Sequence, residues 1–174
     1  MQATIAVIGM SVGKDYYKGD ENLRIIPRFN WEQAREMHDS GVIQIVSHSY
    51  AMHDNPQLET GPYREGVLQM EGESLEEYKQ AFRADFERSR SLIEQYVGSP
   101  MHVFVYPYGK YSMLTEELLQ EAGVKVTVST HGGINTIVRG DPQSLFLLRR
   151  IGVPGDKDIE SILMADNVIG ENET

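Results

Sequence analysis

The chain has 174 residues, 40% of them hydrophobic and 24% charged, with a formal net charge of −10 at pH 7; that is the balance of one folded domain with a real core, not of a disordered chain. The negative charge opposes phosphate backbones and anionic lipid, which argues against nucleic acid and membrane surfaces as partners and leaves a neutral sugar polymer unpenalised. There is no cysteine, which excludes disulfides, thiolate metal sites and cysteine nucleophiles.

In chain order, residues 4–8 form a short apolar, β-branched run closed by Gly9, which predicts a buried strand. Residues 10–29 hold Gly13, Gly19 and Pro27 and read as a loop. Asn30 with Gln33 three residues on predicts a capping box and a helix that stops at Gly41. Residues 42–47 are a second buried strand, and residues 48–73 a long loop of the kind that is functional or mobile. Ser74 and Glu77 repeat the capping box for the longest helix. Leu75, Tyr78, Phe82, Phe86, Ile93 and Val97 supply its apolar stripe and Gly98 its end. Strands are expected at 102–106, 125–129 and 145–151, and helices over 113–122 and after an Asp156 cap, the last carrying Ile159, Ile162 and Leu163.

Strands of the buried type alternating with helices argue for one α/β domain over residues 1–174, built on a mainly parallel sheet. Chemistry in such sheets belongs at the C-terminal ends of the strands, here after Ile8, Ser47, Tyr106 and Ser129. His48 and His53 follow the second strand, and two imidazoles five apart converge on a divalent ion if the intervening loop curls back. Without that curl they are two solvated loop histidines. Tyr106-Pro107-Tyr108-Gly109 follows the third strand, with a rigid turn and aromatic rings suited to sugar faces. His131 stands at the fourth strand end, while His38 and His102 face away from the expected mouth.

Taken in order, these segments resemble the polysaccharide deacetylases, carbohydrate esterase family four (the NodB-homology domain). Residues 3–9 look like the family's second strand, and Ser47-His48-Ser49 through His53 like its metal-binding histidine motif. The five-residue spacing is closer to the deacetylases of poly-N-acetylglucosamine. Residues 104–109 resemble the motif that walls the substrate groove, although many members carry Arg where this chain has Val105. Residues 148–153 resemble a late Arg-Ile strand. The resemblance implies a distorted (β/α) barrel and a divalent metal, zinc above all, on His48 and His53. It further implies substrate contacts from Tyr106, Pro107, Tyr108, Gly109, His131 and Arg150, and a secreted or cell-surface setting.

The departures set further expectations. Members of the family open with a strand ending in Phe-Asp-Asp, the source of the general base and a third metal ligand, and no such strand precedes residue 4. The chain also has no clear Leu-x-His near its end, where many members keep a general-acid histidine. An incomplete barrel is therefore expected, with its first strand missing, no assigned general base, and weak metal binding unless Asp54, His131 or another chain contributes. The 4–8 strand should be an open edge, suited to pairing with a second copy. If the sheet closes instead, Asp15 and Asp20 become the carboxylates to consider. No signal peptide is visible in these residues. A hydrolase of N-acetyl groups on an N-acetylglucosamine polymer, inactive in this form, is the reading the resemblance favours. The others are a non-catalytic carbohydrate-binding relative and an unrelated α/β enzyme.

Overall fold

A computed structural model describes residues 2–165. Its sheet is formed by β1 (Ala3–Val7), β2 (Ile43–Ser47), β3 (Val103–Val105) and β4 (Val126–Val128). They are parallel, in the order β1-β2-β3-β4, and among the described residues the sheet does not close. Each step between strands is a crossover through α1 (Trp31–Asp39), α2 (Leu75–Val97) or α3 (Met113–Glu121). Parallel neighbours require such crossovers, because a hairpin cannot return the chain in the same direction. The last helix among the described residues is α4 (Ile159–Ala165).

Local chemistry sets the helix ends as expected. Asn30 and Gln33 close a reciprocal capping box on α1, and Ser74 and Glu77 another on α2. Each cap satisfies amides that have no partner inside the helix, a contribution of about 1 kcal/mol. Gly98 ends α2 in the left-handed conformation at φ 81°. The α2 stripe buries Tyr78, Phe82, Phe86, Ile93 and Val97, but Leu75 in the first turn is 51% exposed. Asp158, not Asp156, caps α4 by accepting from the Ser161 amide at 3.0 Å. Ile162 there is buried and Ile159 is not; the Leu163 side chain lies outside the described residues.

The two faces of the sheet differ. Strand alternation and the register put Ile5, Val7, Ile45, Ser47, Phe104 and Thr127 on one face. That face packs on the helices, with Phe104 in edge or tilted contact with Phe82, Phe86 and Tyr106. On the other face Thr4, Ala6, Gln44, Val103, Val105, Val126 and Val128 line an open concavity with Arg150. β1 lies at an edge, as expected, with β2 as its one neighbour among the described residues. The open sheet also removes the reason to look to Asp15 and Asp20: Asp20 instead accepts from the Asn22 amide in a local turn.

The strand expected at 145–151 does not form. Residues Pro142–Leu145 are a 3-10 turn, and one parallel bridge joins Leu148 to Val128. Leu147 takes φ 55°, and its amide donates to the Thr127 hydroxyl at 2.7 Å instead of to a strand carbonyl. Pairing with β4 is confined to that one bridge.

Candidate metal and carbohydrate site

β2 delivers His48 to the C-terminal rim on the open side of the sheet, where its amide still donates to the Val7 carbonyl at 2.9 Å. Its Nδ1 lies 2.6 Å from the Val105 carbonyl. A carbonyl only accepts, so Nδ1 carries the proton and Nε2 keeps a lone pair for a ligand. Burial pushes the His48 imidazole down to about 4, with His53 and Arg150 adding like charge against protonation. Burial also lowers His53, helped by Arg28. Both rings are therefore neutral near pH 7, the state a metal requires.

The loop does curl back. Ser49 adopts φ 72°, and the His48 and His53 ring centroids stand 4.9 Å apart at 52°. Tyr108 packs against His53 with centroids 4.4 Å apart, and its hydroxyl donates to the Asp54 carbonyl at 2.8 Å. At 42% exposure, Tyr108 offers the remainder of its ring to the rim. Gly109 beside it has φ 67°, and a Cβ there would come within 1.9 Å of the Thr130 hydroxyl. Only glycine fits that approach of the third strand end to the fourth.

Other expected residues are placed differently. The Tyr106 side chain is fully buried on the helix face and donates to Glu116 at 2.7 Å, so it supports the turn from beneath and is out of reach of a substrate. Pro107 is buried as well. Asp54 does not join the histidines: one carboxylate oxygen pairs with Lys18 at 2.6 Å and the other accepts from the Arg64 amide at 2.9 Å. His131 stands edge-on to Tyr111, 5.9 Å between centroids, and its ring is exposed. Among the described residues no three His, Cys, Asp or Glu side chains gather around a common point. Arg150, whose amide donates to the His131 carbonyl at 2.9 Å, borders the open face near His48. No local sequence motif singles out Lys18, Arg28 or Asp85. Asp85 had left a trace, as an acid placed between Phe82 and Phe86 on the buried stripe.

The donor set fits a divalent cation in part. Two neutral imidazoles, one oriented by a backbone carbonyl as metal-bound histidines usually are, supply two of the four positions of a tetrahedral ion.

Two imidazoles and a part-exposed tyrosine thus gather at the C-terminal rim of a parallel βα sheet. The sequence profile described as polysaccharide deacetylase matches residues 1–127, and the chain belongs to that family. No curated protein matches it. Solved structures of the same fold include IcaB from Ammonifex degensii, with 21% identity and a TM-score of 0.67 over 94% of this chain and 60% of that one. The BpsB deacetylase domain from Bordetella bronchiseptica has 26% identity and a TM-score of 0.66 over 86% of this chain and 60% of its own. A de-N-acetylase from Aggregatibacter actinomycetemcomitans has 22% identity and a TM-score of 0.66, covering 92% of this chain and 63% of that one. The chain thus spans less than two thirds of each of these structures. No helix among the described residues is long and apolar enough to cross a membrane.

Proposed function

We propose that this chain forms the histidine-bearing part of a metal-dependent hydrolase that removes N-acetyl groups from a polysaccharide, with an N-acetylglucosamine polymer as substrate. The observation that carries the reading is the convergence of two neutral imidazoles, His48 and His53, at the strand-end rim. A bound divalent ion, zinc in first place, supplies Lewis acidity toward an amide carbonyl. His48 and His53 would hold it, and the Val105 carbonyl fixes the His48 tautomer. Tyr108 presents a ring face to a sugar, Gly109 lets the turn sit close to Thr130, and Arg150 and His131 border the approach. Asp54, the carboxylate next to His53 in the chain, is engaged by Lys18 and the Arg64 amide, and the general base is left unassigned.

The experiment is acetate release from acetylated chito-oligosaccharides, alongside zinc binding. The 174 residues should bind zinc weakly and turn over at least about 10²–10⁴-fold more slowly than a deacetylase that has its base. Release at ordinary enzyme rates would overturn the inactivity. A non-catalytic carbohydrate-binding relative is the second reading, favoured by the engagement of Asp54 with Lys18. Oligosaccharide binding that is indifferent to zinc would select it. A secreted or cell-surface setting, and a homodimer paired through the β1 edge, complete the proposal. Light scattering at high concentration tests the dimer.

A further inference from the structure

Two histidines five residues apart share one point only if the four residues between them are held in a turn, and the contacts that hold it come from outside the loop. On one side, the 3-10 turn that follows β1 grips it: the Gly9 amide donates to the Ser49 carbonyl at 3.0 Å and the Met10 amide to the Tyr50 carbonyl at 2.9 Å. On the other side stands α2. The Tyr50 amide donates to one carboxylate oxygen of Asp85 at 2.8 Å and the Ala51 amide to the other at 2.6 Å. One helical turn further along, the Ser89 hydroxyl bonds the Ser47 hydroxyl at 2.8 Å, and the Ser49 amide donates to that same Ser47 oxygen at 3.2 Å. Placing a carboxylate between Phe82 and Phe86 carries a desolvation cost that an apolar residue would avoid. The Tyr50 and Ala51 amides, with that of Met52, offset it in part, and burial still holds the Asp85 carboxyl above its usual range. Both oxygens are engaged by backbone, so Asp85 is neither a metal ligand nor a base.

We propose that Asp85 is the positioning residue of the histidine pair: by bridging the Tyr50 and Ala51 amides it fixes the turn that brings the His48 and His53 rings together. Its purpose rests on the metal-site reading above, but its effect on the turn is measurable without metal. Asp85→Asn and Asp85→Ala are compared with the parent by NMR on metal-free protein and by zinc titration. Asn keeps one acceptor and sets an NH2 against the second amide; Ala removes both acceptors. In folded variants the ring-to-ring NOE between His48 and His53 should be lost. Exchange of the Tyr50 and Ala51 amides should speed up at least about 10-fold. The zinc Kd should rise about 10–100-fold, the range typical of losing a group that orients a ligand. A folded Asp85→Asn protein with the parent's NOE and exchange rates would overturn the proposal. Unfolding of both variants would overturn it too, since Asp85 would then serve the fold as a whole. If the parent binds no zinc, the metal reading alone falls, because the NOE and exchange results still decide the role of Asp85.

Discussion

Two segments reach the same rim by different means. Residues 47–53 are tied to β1, to β3 and to α2 through backbone amides and carbonyls, and their two rings are drawn out of solvent. Residues 130–155 cross the rim with one strand bridge, a 3-10 turn and several exposed apolar side chains, Ile134, Ile137, Val138 and Val153 among them. His48 and His53 belong to the first segment, His131 and Arg150 to the second. The difference teaches where geometry is built to be kept: a ligand site needs its side chains held by their surroundings, and the first segment draws that support from three separate elements.

The contrast can be broken or sharpened by substitution, and the largest effect should come from beneath the first segment. Phe104 is fully buried among Phe82, Phe86 and Tyr106, so Phe104→Ala should cost about 3–5 kcal/mol in urea unfolding. A cost below about 1 kcal/mol would mean that this core is loose and the rim above it unsupported.

The next effect is one of pH. His48 is held down to about 4 against an ordinary 6.5, so between these values the unfolded chain binds more protons than the folded one. Its contribution is fully present above about pH 6.5 and is lost as pH falls to about 4. The gap corresponds to on the order of 3 kcal/mol, and His53 moves in the same direction. Unfolding midpoints measured from pH 7 to pH 4 should fall for the parent and fall less for His48→Gln. Parallel curves would place His48 in solvent.

Gly109 joins the two segments where β3 and β4 end. Gly109→Ala combines φ 67° with the collision against Thr130 and should destabilise by about 1–3 kcal/mol. Smallest of all should be His131→Ala, within about 0.5 kcal/mol in the same assay, because its ring lies exposed.

The same contrast explains what the sequence could and could not reveal. Capping boxes at Asn30 and Ser74 are local devices closed within one turn, so the starts of α1 and α2 were legible to the residue, whereas the α4 cap lay two residues beyond the expected Asp156. The convergence of His48 and His53 was legible as a conditional, but the partners that make the loop curl were not. Asp85 meets Tyr50 from 35 residues away, and no local pattern encodes that bond. The interruption at Leu147, where φ is 55°, was likewise not legible locally: its amide donates to the Thr127 hydroxyl 20 residues earlier. Tyr106 is a different case. Strand alternation puts it on the same face as Phe104, and the period of two, followed one residue further, would have turned it into the core.

The central claim, that the strand-end histidine pair is a metal site, is tested most directly by zinc titration of the parent chain, His48→Ala and His53→Ala, with X-ray absorption on the zinc-loaded parent. The account predicts one zinc per chain with two imidazole nitrogens at about 2.0–2.1 Å, and loss of binding in each variant. Zinc held equally well without His48, or a zinc environment free of imidazole, would contradict it.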